Sequence, residues 1–458
     1  MTTAQTHIEE RAIAELKPFG RNARTHSRRQ VRQIADSIRR FGFTNPVLIG
    51  KDDEIIAGHG RVMAAKELGL ERVPTVKLAH MTAEERRAYV LADNKLALNA
   101  GWDIEILAGE LQGLIDSGFE VELTGFSAAE IDLTLDLNRN GSLEPVGGPE
   151  DDIPEPPKAA VTRPGDLWQL GRHVLLCGDA QRKGDLDRLM AGATADVLFT
   201  DPPYNVPIDG HVSGLGAVRH REFAFASGEM SRDAFTGLLK STLGHAAAQL
   251  KDGAIAFVCM DWRHMRELLD ATDDVFSELK NLCVWNKTNG GMGTFYRSKH
   301  ELVFVFKNGN GPHTNTFGLG ETGRYRTNVW DHAGVNVFSS RRDDELAMHP
   351  TVKPVALVAE AIKDCSLRGE TVLDPFGGSG TTLIAAEVTG RNARLIEIDP
   401  SYCDTIIARF ARFTGKNAIL SGSGETFEDV SAKRIGRLPD VPKDVLKRAQ
   451  SRRSRHGQ

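Results

Sequence analysis

The sequence predicts an α/β protein whose larger part carries a mostly parallel sheet. Three observations carry this. Ala195-Asp-Val-Leu-Phe199 is an apolar run with no room for two helical turns. It is stopped by Asp201-Pro202-Pro203, residues that neither continue a helix nor donate freely to a ladder, so it reads as a buried strand that ends abruptly. Thr371-Val-Leu-Asp374 runs into the glycine-rich Gly377-Gly378-Ser379-Gly380, then a helical pattern to Thr389, then a second strand pattern from Ala393 to Asp399. That is one βαβ unit of an open sheet. Finally, 138–158 is rich in Pro, Gly and acidic residues, cannot bury a core, and separates this part from a smaller mixed α/β pattern before it.

At 458 residues the chain has room for two or three domains. A hydrophobic content of 40% with 26% charged residues is that of an ordinary globular protein. No apolar run is long enough to cross a bilayer, and the polar start is unlike a secretory signal, so the expectation is a cytoplasmic protein with no membrane partner. Five cysteines without a C-x-x-C pair read as reduced packing residues, with no metal expected. The net charge of −5 does not advertise a nucleic-acid binder. Local basic runs, Arg21 to Arg40 and Lys447 to Arg455, can nevertheless follow phosphates; such runs are equally often solvated faces or disordered ends.

From the N-terminus, Ser27 caps a helix with Val31, Ile34, Ala35, Ile38 and Phe41 on one face, and Gly42 ends it. Strands 46–49 and 54–57 follow, separated by Lys51-Asp52-Asp53. Gly58-His59-Gly60-Arg61 then opens a helix to Leu68, before a strand at 73–78. A glycine pair between strand and helix with Arg61 in the first turn is a plausible anion cradle, and a tight turn explains it nearly as well. Residues 81–137 read as helices packed behind this domain.

In the larger part, Trp168 to Cys177 reads as a hairpin feeding a strand that ends at Asp179, a carboxylate placed to accept from a base or ribose. The stretch after Asn205 reads as a loop or lid, Ala254 to Cys259 as a strand, and Cys283–Lys287 with Glu301–Phe306 as a pair of strands. Between that pair, Gly290 to Tyr296 brings aromatics to a glycine-softened turn. It is either a second wall for a swung-out base or a plain hairpin. The polar, basic 307–348 is where a sequence-reading insert would sit.

The chemistry follows from the two strand ends. The Asp201 carboxylate and the Pro202 carbonyl are two fixed acceptors able to take both N–H bonds of a nucleobase amine and stabilise the charge that develops on its nitrogen. Tyr204 offers a face for a base swung out of the duplex. The loop 374–382 lacks the lysine of a phosphate-binding P-loop and has Leu383 where a dinucleotide fingerprint needs its third glycine. It suits a nucleoside with an amino-acid tail: the helix N-terminus meets the tail carboxylate and Glu397 takes the ribose hydroxyls. S-adenosylmethionine has that shape.

With D-P-P-Y about 170 residues ahead of D-P-F-G-G-S-G-T, and His349-Pro350-Thr351-Val352-Lys353-Pro354 before the second box, the pattern from Val161 to Ala418 resembles the amino-methylating DNA methyltransferases. The order is that of their permuted class. The resemblance implies a Rossmann-like, seven-stranded, mostly parallel sheet with one reversed edge strand. It also implies Asp201, Pro202, Pro203 and Tyr204 as catalytic residues. Asp374, Phe376, Gly378 and Gly380 correspond to the cofactor loop, Glu397 to the ribose-binding acid, Thr351 and Lys353 to the segment beside the methionine tail, and Asp179 to an acid near adenine. Asp rather than Ser at the first position of the box tilts the target from cytosine N4 to adenine N6.

Residues 10–80 resemble the ParB/sulfiredoxin-like domain, on Asn22-Ala-Arg24 and the Gly58-His59-Gly60-Arg61 box. This implies Gly58, Gly60 and Arg61 at a nucleotide triphosphate or DNA. The expected domains are thus 10–80 (ParB-like), 81–137 (helical), 138–160 (linker), 161–430 (methyltransferase) and 431–458 (basic tail). The expected function is adenine N6 methylation of double-stranded DNA, with a homodimer by analogy. Against it stand a cytosine N4 enzyme and a nucleotide-gated DNA-binding factor with a silent catalytic half. A nuclease ranks last, for want of a paired-carboxylate metal cluster.

Overall fold

A computed structural model describes residues 7–20, 24–98, 101–138, 150–157, 159–206, 228–287, 295–316, 326–332 and 352–436. The stretch 207–227, residues 288–294 and with them most of the turn Gly290–Tyr296, the greater part of the basic insert, Asn22, Thr351 and the tail beyond 436 lie outside them. The chain divides into two compact units, Met1–Gly141 and Ser142–Gln458.

In the first unit, β1 (Ile8–Ala12), β2 (Val47–Ile49), β3 (Ile55–Ala57) and β4 (Arg72–Lys77) form a sheet in the order β1-β4-β2-β3. β1 pairs antiparallel with β4. It does not read as a strand because its Ile-Glu-Glu-Arg-Ala is largely exposed, leaving no apolar alternation. The helix Arg28–Phe41 begins and ends as its sequence predicts: Ser27 Oγ accepts from Gln30 N at 3.1 Å, and Gly42 takes a φ of +79° that glycine adopts without strain.

In the second unit, β5 (Leu167–Leu170), β6 (His173–Cys177), β7 (Ala195–Thr200), β8 (Leu250–Met260), β9 (Glu278–Asn286), β10 (His300–Lys307), β11 (Val329–Asp331), β12 (Thr371–Asp374), β13 (Asn392–Glu397) and β14 (Ile419–Leu420) form one sheet. The order is β11-β9-β10-β8-β7-β12-β13-β6-β5-β14. β8, β7, β12, β13 and β6 are mutually parallel. Their inner residues are mostly apolar and buried because helices cover both faces, which is why they read as short apolar runs. The two faces bury separate cores, with Phe199 and Leu383 in one and Leu198 and Phe235 in the other.

The sheet has ten strands, not the expected seven, and two of them are reversed: β5, antiparallel to β6 and β14, and β10, antiparallel to both β8 and β9. β10 lies inside the sheet and not at its edge as expected, because β9 and then β11, three residues of the basic insert, add beyond it. Arg326 of the same insert packs inward, paired with Glu360 and with Asp364 (3.1 Å) on the helix Val355–Cys365.

The 150–157 part of the expected linker is built into the second unit. Asp151 Oδ1 accepts from Val355 N at 3.0 Å, and the buried Arg409 reaches Glu150 O at 2.8 Å. A buried guanidinium needs acceptors on most of its edge, and this segment supplies one. At the other end, the helix Phe427–Ile435 passes the expected 430 boundary, and its Arg434 ties Val161 O and Asp166 into the same unit. All five cysteines are buried and free. Among the described residues no helix is long and apolar enough to cross a membrane.

Candidate active site

The two distant boxes meet because β7 and β12 are neighbours in a parallel sheet, so both strands end on the same edge. A cleft of about 1130 Å³, counted to its open mouth, lies there. Asp201, Pro202, Pro203 and Tyr204 line one side, and Asp374, Phe376, Gly378 and Glu397 the other. Thr200 Oγ1 donates to Asp374 Oδ1 at 3.0 Å and clamps the two strand ends together.

Asp374 is an organiser. Its Oδ1 also accepts from Phe376 N (3.0 Å) and its Oδ2 from Thr382 Oγ1 (2.6 Å), which folds the glycine loop back over the strand end. Burial pushes its carboxyl up to about 7 against the pull of these donors. Gly378 adopts φ +52°, and where its Cβ would stand the nearest heavy atom is 3.9 Å away, so the backbone forms an open cradle. Gly380 lies behind the cleft, outside its lining: at φ +84° it caps the helix Thr381–Thr389, and a Cβ there would come within 3.1 Å of Ile406. Arg409 Nη1 holds the loop from below through Ser379 O at 3.1 Å and Thr381 Oγ1 at 3.2 Å.

Glu397 ends β13. Its Oε2 accepts from Gly378 N and its Oε1 from Asp399 N, both at 2.8 Å. Each oxygen keeps a second lone pair, so the group can accept two further hydroxyls. Burial pushes it up to about 7. Asp179, by contrast, is not among the residues lining the cleft. Its Oδ1 accepts from Gln181 N at 2.9 Å and its carboxylate lies 3.7 Å from Arg182, so the turn after β6 uses it locally.

On the other side, Asp201 is held by two donors. Tyr204 Oη donates to Oδ1 at 2.6 Å, and Lys353 Nζ to Oδ2 at 2.6 Å. Lys353 is 4% exposed and also lies 2.8 Å from Glu301 Oε2. It therefore grips the Asp-Pro-Pro-Tyr turn, where the sequence placed it beside a methionine tail. Burial opposes its charge, but the Asp201 and Glu301 carboxylates hold its pKa well above the ordinary lysine value. For Asp201, burial raises the carboxyl, Glu301 adds to that, and Lys353 and Tyr204 pull against it; the net direction is up. Tyr204 is also raised, by burial and by Asp201, so its hydroxyl stays protonated.

The sequence did not single out Glu301, Asn205 or Tyr402. Asn205 sits at φ +52°, and its side chain bonds Gly228 N, Met230 N and Met230 O, closing the turn after the box. Its place directly after D-P-P-Y was the available signal. Tyr402 lines the cleft beyond Asp399. Phe295 and Tyr296 are 87% and 82% exposed, and neither lines the cleft.

In the first unit, Gly58 takes φ +102° before the helix His59–Glu67, and a Cβ on Gly60 would meet His26 and Ile34 at 3.0 Å. Arg61 Nη1 donates to Asn45 O (2.7 Å) and Pro46 O (2.6 Å). Each of the three thus has a task in holding strand, helix and preceding loop together.

A doubly wound sheet with a glycine loop after β12 and an acid ending β13 defines the class of the second unit, an S-adenosylmethionine-dependent methyltransferase fold; the first unit is a small ParB-like domain. Residues 195–409 match the DNA methylase family of N6 and N4 enzymes, 105–164 a ParB-methyltransferase HTH domain and 1–95 the ParB N-terminal domain. The chain belongs to these families: it is an amino-methylating DNA methyltransferase of the N6-adenine/N4-cytosine group joined to a ParB N-terminal domain, and its cofactor is S-adenosylmethionine. It is 53% identical over 77 residues to the ParB-like nuclease domain-containing protein YnaK of Escherichia coli (strain K12), covering 17% of this chain and 88% of YnaK. It is 38% identical over 87 residues to the Type II methyltransferase M.ScaI of Streptomyces caespitosus, covering 19% of this chain and 29% of M.ScaI. The solved M1.HpyAVI–SAM complex superposes with a TM-score of 0.38 at 20% identity, covering 51% of this chain and 97% of that one.

Proposed function

We propose that the second unit methylates the N6 amino group of adenine in duplex DNA, reached by swinging the base into the cleft. The observation that carries this is the shared cleft: an acceptor carboxylate on one wall faces a glycine cradle and a ribose-type acid on the other. The donor set fits the cofactor. Glu397 has two spare lone pairs for ribose hydroxyls, Gly378 leaves room for the backbone to approach, and the helix Thr381–Thr389 presents its N-terminus to the tail carboxylate. When bound, S-adenosylmethionine supplies an electrophilic methyl group.

The protein's own contribution is positioning and charge. Asp201 and the Pro202 carbonyl would accept the two amine N–H bonds, which favours a pyramidal nitrogen with a usable lone pair. The nitrogen that gains the methyl must release one proton, and Asp201 is the acceptor in contact with it. Tyr204 and Lys353 fix the carboxylate in advance, so little reorganisation is left for the reaction itself.

Aspartate at the first position of the box favours adenine over cytosine. The test is nucleoside analysis of DNA from cells expressing the full chain. N6-methyldeoxyadenosine is the expected product, and N4-methyldeoxycytidine in its place would reassign the base.

For the first unit, a nucleotide triphosphate or DNA at Gly58, Gly60 and Arg61 remains our reading of the ParB-like box. Direct titration of the full chain with nucleoside triphosphates checks it, with no binding in the micromolar to millimolar range as the contrary outcome.

A further inference from the structure

Glu301, the second residue of β10, is 9% exposed and faces two ammonium groups. Lys353 Nζ lies 2.8 Å from its Oε2, and Lys287, just past the end of β9, bonds its Oε1. Since Lys353 is also 2.6 Å from Asp201, one ammonium is shared between two carboxylates. Burying charges is costly, and Tyr204 already donates to Asp201. A second buried carboxylate beside the reacting turn therefore calls for a reason.

The charge count supplies one. Asp201 with Lys353 alone sums to zero, a poor setting for a nitrogen that becomes cationic. Asp201, Lys353 and Glu301 together sum to −1 at the point where positive charge develops. Lys287 balances the cluster from a position that is 28% exposed, where water screens it.

We infer that Glu301 is a positioning residue for methyl transfer: it draws the Lys353 ammonium partly off Asp201 and leaves the Asp201 carboxylate free to accept the amine N–H, while Lys287 balances the charge that Glu301 brings. This rests on the reading of Asp201 as the amine acceptor. The charged and titratable groups facing Asp201 are Lys353, Tyr204 from its own turn, Glu301 from β10, Cys259 from β8 and Asp374 from β12. Tyr204 and Cys259 are pushed up by burial and stay neutral, and Asp374, raised to about 7, adds negative charge only as it ionises, which leaves Lys353 and Glu301 as the principal charges acting on it.

The test uses the full chain as wild type, Glu301→Gln, Lys287→Met and the double variant, with two readouts. In the first, carbon-13 NMR of carboxyl-labelled aspartate, with the Asp201 signal assigned by its loss in Asp201→Asn, follows the titration of Asp201 without any turnover. Glu301→Gln removes a negative neighbour and should move the Asp201 midpoint to lower pH by about one unit; Lys287→Met removes a positive charge and should move it to higher pH. In the second, kcat for methyl transfer should fall about tenfold or more in Glu301→Gln with the cofactor Kd changed less than about threefold.

The double variant separates the alternatives. It buries no unpaired charge, so if Glu301 and Lys287 were merely structural it would recover wild-type kcat. The inference requires it to stay slow. Shifts of the same sign in the two single variants, or recovery in the double variant, would overturn it. If wild type transfers no methyl to DNA, the reading of Asp201 fails on its own, and the NMR titration still decides the sharing of charge.

Discussion

Thr200 and Asp374, 174 residues apart in sequence, are joined by a 3.0 Å hydrogen bond at the carboxyl ends of two neighbouring parallel strands. Thr200 immediately precedes the Asp-Pro-Pro-Tyr turn, and Asp374 immediately precedes the glycine loop. One side-chain contact thus sets the distance between the wall that would hold a base and the wall that would hold a nucleoside cofactor.

That contact is half of a satisfied set, and its other half is a stability test. Thr382 Oγ1 supplies the donor to Asp374 Oδ2 at 2.6 Å in a buried site. Thr382→Val keeps the shape and removes the donor, which should cost about 1–3 kcal/mol. Urea denaturation of the variant against wild type measures it; an unchanged midpoint would show that the loop does not depend on Asp374.

Glu397 gives a pH dependence. Its carboxyl is raised to about 7 in the folded protein, above its ordinary value, so the folded state holds the proton more tightly than the unfolded chain. Its contribution to stability is present in full at low pH and is lost as pH rises through about 7. Cofactor affinity should run the other way, because ribose hydroxyls need the ionised acceptor: Kd should fall between pH 6 and pH 8. Calorimetric titration checks this, and Glu397→Gln should bind weakly and flatten the profile.

Gly378 separates binding from chemistry. Its positive φ strains any other residue, and a side chain there would enter the cradle. Gly378→Val should weaken cofactor binding by about tenfold or more while sparing the Asp201 network on the opposite wall. Equal cofactor affinity in wild type and variant would remove the glycine loop from the binding site.

The parts of this site that were legible in the sequence are those written locally. Asp201, Asp374 and Glu397 each end a short apolar run, and a strand end in a parallel sheet points to one edge whatever the rest of the chain does. Lys353 was visible as a residue but not for its task, since its partners Asp201 and Glu301 come from two other strand ends. Glu301 was invisible because a lone acid at the start of a β10-like run signals only a strand boundary. The place of β10 inside the sheet was missed for the same reason: the strand's own residues do not say which neighbours will pair with it. Asp179 is the converse case, a strand-end carboxylate that its own turn uses first.

The account stands on Asp201 acting on the amine and not on the cofactor. The direct measurement is transfer of a labelled methyl group from S-adenosylmethionine to duplex DNA by wild type and Asp201→Ala, with cofactor binding measured on the same preparations. The account predicts that turnover falls by at least about a hundredfold while the cofactor Kd stays within about threefold. An Asp201→Ala protein that still methylates at near wild-type rate, or one that loses cofactor binding along with activity, would contradict it.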